Sequence, residues 1–337
     1  MTSVQDASVG ISVAESTYGT AVVTTRWYEF LSETLDYRKN VKQGAGIRVG
    51  GRIARDGRRN VTTHDGGGDV VMECASKGMG LWWQLNVGGG TSTLVSGATY
   101  QQNFVDSDTP GSVTLQKGLP EAGGTVDAYT LPGSMVTQWE LDFTQGDIVT
   151  LKSTIDAQDV VSSIGYAAPS YPAEPVNLYQ FAGGSIYTGA FTAPTTNMMA
   201  IGATALANVQ GGTIICNNNL KVDRNNLNSA GKKRKPTNGL GAISGTLSVE
   251  YDSTAFRDAV IADTPMALVL TYTAGALGVG LETLQVAIPC VRFEGTLPLS
   301  NGTDLIVQAL KFTGTDNLTD ANRGGIYVSA RTADAAL

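Results

Sequence analysis

A single histidine, His64, is all the imidazole this chain of 337 residues contains, so a metal centre built on two or three histidines is excluded. His64 lies in the stretch TTHDGGG beside Asp65. That pair could be read as a catalytic dyad, and the plainer reading is a solvated histidine in a polar loop. Cysteine is scarce as well. The three present, Cys74, Cys216 and Cys290, never fall in a CxxC spacing, so they read as small buried apolar residues of a reducing compartment and not as a metal or redox site. Long hydrophobic runs are missing: the longest uncharged stretch, Thr264 to Leu281, is interrupted by Thr, Tyr and Gly, and no membrane span is expected. The opening MTSVQDASVG has neither the basic start nor the apolar run of a secretory signal, so export is not expected.

Nucleotide-binding signatures fail in the same way. Gly44 and Gly46 are followed by Val49 where GxGxxG needs its third glycine, and GxxxxGK[ST] does not occur. Ser134 and Ser185 follow glycines outside any GxSxG. In DNLTDANRGG, 316 to 325, Leu318 stands where a calcium loop needs an oxygen ligand, so the segment reads as a polar turn. No catalytic, cofactor or metal residue is assigned. A net charge of -7 also argues against non-specific nucleic-acid binding by the surface as a whole.

What the chain has in quantity is glycine, 41 copies, within a composition that is 42% hydrophobic and only 16% charged, with abundant Thr and Val; this is the mixture of many strands joined by tight turns. Alternation is clearest from Ile243 to Asp252, where Ile243, Leu247, Val249 and Tyr251 share one face and Ser244, Thr246, Ser248, Glu250 and Asp252 the other. Gln138 to Phe143 alternates likewise, with Trp139, Leu141 and Phe143 inward. The turn TQGD then leads to Val149, Leu151 and Ile155, which makes a hairpin. Further strands are expected at Asp69 to Cys74, Ala267 to Thr273, Thr283 to Val291 and Leu305 to Phe312.

Two strands run directly into short helical patterns. ASKGMGLWWQL offers Ser76 as a cap with Met79, Trp82 and Trp83 at helical spacing; STAFRDAVIAD offers Asp252 or Ser253 as a cap, with Pro265 barring continuation. The chain therefore divides into two loosely similar halves, about 9–165 and 176–328, with the proline-rich 167–177 as the seam. Two polar stretches, 38–68 and 217–239, read as long functional or conditionally ordered loops. The first holds GAGIRVGGRIARDGRRN, with five arginines (Arg48, Arg52, Arg55, Arg58 and Arg59) and one acid; the second holds Lys232, Lys233, Arg234 and Lys235. Outward acids occur in pairs, Glu140 with Asp142 and Glu250 with Asp252. A glycosidase pair is one reading of them, but an i, i+2 spacing on a strand marks an acidic wet face.

In their order along the chain, several segments carry a resemblance. They are GAGIRVGGRIARDGRR, GGDVVMECASKGMGLWWQLNVG, LPGSMVTQWELDF, PSYPAEPVNLYQFAGGSI, ISGTLSVEYDSTAFRDAVIA and LQVAIPCVRFEGTLPLS. Together they resemble the tail tube (major tail) proteins of siphovirus-type bacteriophages, over roughly Val9 to Val328, with 91–130 and 188–210 least matched. The resemblance implies a mainly β fold, a β-sandwich or open barrel with one or two short flanking helices, and a structural virion protein without cofactor or enzymatic activity. It implies six-subunit rings stacked into a hollow tube through which DNA passes during ejection, assembled in the bacterial cytoplasm. Tape-measure, tail terminator and distal tail proteins would be its partners at the tube ends. On this reading Glu140, Asp142, Glu250 and Asp252 include lumen-facing acids, the five arginines form an arm reaching a neighbouring subunit, and the 232–235 cluster is a second basic contact or a solubilising loop. The alternatives are another ring-forming phage protein (terminator or capsid), a surface adhesive β-sandwich, and least of all an enzyme using a carboxylate pair.

Overall fold

The computed structural model describes residues 6–337 apart from 109, 196–198, 201–203, 207, 253, 296, 299–304 and 317–323. The first part of the chain runs β1 (Ser8–Ala14), β2 (Arg26–Tyr28), β3 (Ser32–Glu33), β4 (Asp36–Gln43), β5 (Arg59–Glu73), α1 (Gly80–Val87), β6 (Gly88–Ser96), β7 (Thr99–Asp106), β8 (Val113–Pro120), β9 (Val126–Thr144) and β10 (Thr150–Ala157). The second part runs β11 (Gly184–Gly189), β12 (Thr204–Leu206), β13 (Val209–Asn217), β14 (Ala242–Glu250), α2 (Ala255–Ala262), β15 (Met266–Ala276), β16 (Leu281–Gly295), β17 (Val307–Gly314) and β18 (Tyr327–Thr332). The fold is mainly β, as expected, and each expected strand is present.

The strands pair in antiparallel fashion in one connected sheet, and no ring of pairings closes among the described residues. Two long strands shape it. β9 pairs with β8 through its first half and with β10 and β13 through its second, and its register with β10 slips near Thr137. β16 pairs with β18 around Thr283–Ala287 and with β17 around Val291–Gly295, and its register with β15 slips by Pro289 and Cys290. A bulge at the point of partner exchange bends the strand, and Pro289 is tolerated there because no ladder hydrogen bond is asked of it.

The same order of pairings occurs twice. β5 precedes α1 and pairs with β10, which is also the hairpin partner of β9; β14 precedes α2 and pairs with β17, which is also the partner of β16. β13 lies between them, bonded to β9 on one side and β14 on the other.

The core follows from alternation. Trp139, Leu141 and Phe143 are buried, as are Leu151 and Ile155, Leu247 and Val249, and Leu310 and Phe312. α1 is buried on every side, with Trp83 edge-on to Trp139 at 6.0 Å and Trp82 edge-on to Tyr28 at 5.7 Å. A helix that is apolar all round belongs inside, and aromatic pairs in this geometry add about 0.5–1.5 kcal/mol beyond the area they bury. α2 covers the other end through Phe256 against Phe293 and Phe293 against Phe312.

Of the expected caps, Ser76 and Asp252 are not used. α1 begins at Gly80, after a left-handed turn at Gly78, with no side-chain cap; Ser76 instead accepts the Asn177 N–H on its hydroxyl. α2 begins after Thr254, also uncapped. Asp252 accepts a hydrogen bond from Asn208, and Ser253 lies outside the described residues.

The largest correction concerns 38–68, expected to be a loop. It is a β-hairpin: β4 pairs with β5 from Asp36↔Gly67 to Gln43↔Arg59, and only 44–58 forms its tip. Both faces of β4 are open to solvent, so no apolar residue is needed on either side and the period-2 signal of a half-buried strand is absent. β5 leaves the body of the sheet at Gly66, Gly67 and Gly68. A Cβ on Gly68 would stand 2.2 Å from the Thr34 carbonyl oxygen, so only glycine fits where β3 and β4 cross over it. Residues 217–239 are irregular as expected, but they are ordered within the monomer, with bridges Lys221↔Thr237 and Asn225↔Lys233.

Candidate functional site

The face of the sheet opposite the core runs open across β5, β10, β9, β13, β14 and β17, except at the end by Asp65 and Asp156, where Lys233 of the 217–239 loop lies over it. Its register is fixed by the ladders Val71↔Lys152, Lys152↔Glu140, Glu140↔Ile215, Ile215↔Ser244 and Ser244↔Thr313, and one step along by Asp142↔Thr213, Thr213↔Thr246 and Thr246↔Lys311. Five carboxylates occupy it: Asp69, Glu73, Glu140, Asp142 and Glu250. Lys152 and Lys311 are the lysines among them.

Three of the five, Asp69, Asp142 and Glu250, are held by neighbouring side chains. Lys152 Nζ lies 3.0 Å from Asp69 Oδ2, and Thr154 donates to the same carboxylate at 2.8 Å. Partial burial acts to raise the Asp69 pKa, but the hydrogen bonds from Lys152 and Thr154 outweigh it and hold the group below the usual range. Thr144 donates to Asp142 at 2.7 Å, and Gln210 to Glu250 at 2.8 Å. Three of the four acids singled out in the sequence, Glu140, Asp142 and Glu250, thus share one face. Asp252 lies just past β14, exposed beside Asn208.

The arginine-rich stretch is the tip of the β4–β5 hairpin, away from the body of the sheet. Ile47, Val49 and Ile53 are 102%, 99% and 88% exposed. The tip is closed by backbone bonds, Gly44 N–H to Arg58 O at 2.9 Å and Arg58 N–H to Arg55 O at 3.1 Å, and by Gln43 Nε2 donating to Arg55 O. Arg48, Arg52, Arg55, Arg58 and Arg59 have no carboxylate partner among the described residues.

The second basic cluster is placed quite differently. Lys233 is buried, its Nζ paired with Asp156 and 3.2 Å from Asp65, while Lys232 Nζ is 2.8 Å from Asp159. Arg38 completes the network at 2.8 Å from Asp65 and 3.6 Å from Asp156. Arg234 and Lys235 remain exposed. His64 is neither loop nor solvated: it sits on β5, its ring nitrogen 3.5 Å from Asp159 and its backbone N–H bonded to Gly231 O. It faces Asp159, not its neighbour Asp65. Sequence reasoning missed Asp65, Asp156 and Asp159 as the anchors of this loop; TIDAQD shows two of them at i, i+3, but nothing local says which cations they meet.

Among the described residues no cluster of His, Cys, Asp and Glu is arranged to hold a metal ion, and no helix is long and apolar enough to cross a membrane. The three cysteines are free and buried. Compared with known families, residues 5–314 match the family described as phage tail tube protein. No curated protein matches the chain.

Proposed function

This chain belongs to the phage tail tube protein family, and on that premise we propose that it polymerises with itself into stacked six-subunit rings forming a hollow siphovirus-type tail tube. The family membership makes it a structural component of the virion tail. The observation that carries the finer reading is the open sheet face. It is wide, polar and built of six consecutive antiparallel strands, with five carboxylates against two lysines. Lining a tube, such a face repels DNA phosphates, so no counterions are released on contact and the genome slides without being held. Glu140, Asp142 and Glu250 act there directly, with Asp252 at the margin.

The hairpin tip with Arg48, Arg52, Arg55, Arg58 and Arg59 is the arm that reaches the next subunit, since guanidinium groups pair best with carboxylates and this chain has an excess of acids. Strand edges without a partner among the described residues, such as those of β4, β6 and β12, supply lateral pairing that ring closure uses up. Tape-measure protein inside, terminator and distal tail proteins at the ends, and assembly in the host cytoplasm complete the reading. The chain acts as scaffold and not as enzyme. What favours a tube over a terminator, capsid or adhesive protein is the family match along nearly the whole chain.

The test is negative-stain electron microscopy of the purified protein beside a variant with Arg52, Arg55, Arg58 and Arg59 changed to Ser. Hollow tubes of stacked rings are expected from the parent and not from the variant. A parent that stays monomeric in every condition, with or without preformed tail tips as nuclei, would sink the tube reading.

A further inference from the structure

β5 carries two unmatched features at its two ends. Its first residue, Arg59, continues the basic arm, and its last, Glu73, lines a cavity of about 160 Å³ at the opposite end of the sheet. Fifteen residues at about 3.3 Å each separate them by on the order of 45 Å. The arm therefore cannot enter the cavity of its own chain.

The cavity is acidic and partly aromatic. Glu29, Glu73 and Glu174 line it, with Tyr171 and Leu178 at its mouth, 46% and 37% exposed. None of the three carboxylates has an ion-pair partner among the described residues. The lysine in the lining, Lys77, is turned to backbone, donating to Pro175 O at 2.7 Å and Ala173 O at 3.3 Å. Tyr28 also lines the cavity, buried, and its hydroxyl finds no hydrogen-bond partner among the described residues. A cavity of roughly 150 Å³ takes a benzene-sized group, so this one takes the end of one long side chain. A guanidinium meets every feature of it: forked donors for carboxylates, a further donor for a phenol oxygen, and a flat face for Tyr171.

We propose that the arm tip of one copy docks into this cavity of a second copy, with Arg48 or Arg52 among Glu29, Glu73 and Glu174 and with Ile47, Val49 and Ile53 covering Tyr171 and Leu178. The occupant is fixed by charge and by position. The arm presents cations without a carboxylate partner and exposed apolar side chains, and the cavity presents acids without a cation partner and a partly exposed rim of Tyr171 and Leu178. Because the two lie at opposite ends of one strand, the contact is head-to-tail. A heterologous contact of this kind repeats without limit along an axis, which is what stacking requires. The inference rests on the tube reading and assigns the contact between successive rings.

Three variants test it: an arm reversal (Arg48→Glu with Arg52→Glu), a cavity reversal (Glu29→Arg with Glu174→Arg), and all four changes in one chain. Free protein left after polymerisation is measured by pelleting, and folding by thermal melting. Each reversal alone is expected to raise the free concentration about tenfold or more, and the fourfold variant to return within about threefold of the parent. A parent that polymerises with no recovery in the fourfold variant, or a cavity reversal that polymerises as the parent does, overturns the docking and leaves the tube reading standing. A parent that never polymerises overturns both. Ile53→Cys with Tyr171→Cys gives an independent readout, since the native cysteines are buried. Oxidised tubes should yield a ladder of cross-linked chains, and intact tubes without one count against the docking.

Discussion

Lys233 and Asp156, 77 residues apart, form an ion pair in which both side chains are almost wholly withdrawn from water. The pair fastens the 217–239 loop to β10, and Lys232 ties it again to Asp159, just past the end of that strand. Removing one member of a buried pair leaves the other charge uncompensated, at a cost of about 3–5 kcal/mol. Lys233→Ala is expected to lose stability in that range by chemical denaturation, whereas Lys235→Ala, at the exposed end of the same cluster, should stay within about 0.5 kcal/mol. Equal effects at the two positions would show that the ion pair does not hold the loop.

The same pair gives the protein an unusual pH term. Burial pushes the Asp156 carboxyl above its ordinary value of 3.8, aided by the nearby Asp65, while Lys233 and Arg38 pull the other way without reversing it. An acid whose folded pKa exceeds its unfolded one binds protons more readily in the native state. Its contribution to stability therefore grows as pH falls through the folded pKa toward 3.8 and is lost as pH rises. Asp156→Asn removes this term. The stability of the parent minus that of Asp156→Asn should increase as the pH is lowered from neutrality, and a difference that shrinks on acidification would contradict the raised pKa.

Strands with one buried face were legible because packing imposes a period of two: Trp139, Leu141 and Phe143 announce β9, and Leu247 and Val249 announce β14. The face of Glu140 and Asp142 followed from the same alternation, before any pairing was known. β4 and the outer half of β5 were not legible, since a hairpin standing in solvent selects no apolar side. Nor were the anchors of Lys232 and Lys233. Long-range ion pairs join residues such as 156 and 233 whose spacing leaves no trace in either local sequence. Helix caps misled for a related reason: α1 is held by tertiary burial of Trp82 and Trp83, so its start needed no Ser76.

Trp83 and Trp139 tie α1 to the sheet that carries the acidic face. Truncating a buried Trp to Ala costs about 3–5 kcal/mol, a large part of the ~5–15 kcal/mol that holds a domain together, so milder changes are better probes. A double-mutant cycle with Trp83→Leu and Trp139→Leu is expected to give a coupling of about 0.5–1.5 kcal/mol by urea denaturation. Strict additivity would mean that the edge-on contact contributes only its buried area.

The acidic face makes the most direct demand on function. Glu140→Lys, Asp142→Lys and Glu250→Lys together change the face from five acids and two lysines to two acids and five lysines. None of the three side chains is in the core, so folding should survive. Each lysine that meets a phosphate releases counterions and makes log K fall by about 0.9 per unit of log salt. The triple variant is expected to bind duplex DNA with a slope of about -2 to -3, and particles assembled from it should eject DNA slowly or incompletely at low salt and faster as salt is raised. The parent should show neither binding nor salt dependence. DNA binding by the parent equal to that of the triple variant, or unchanged ejection from variant particles, would remove this face from the lumen and place the tube wall on another surface of the chain.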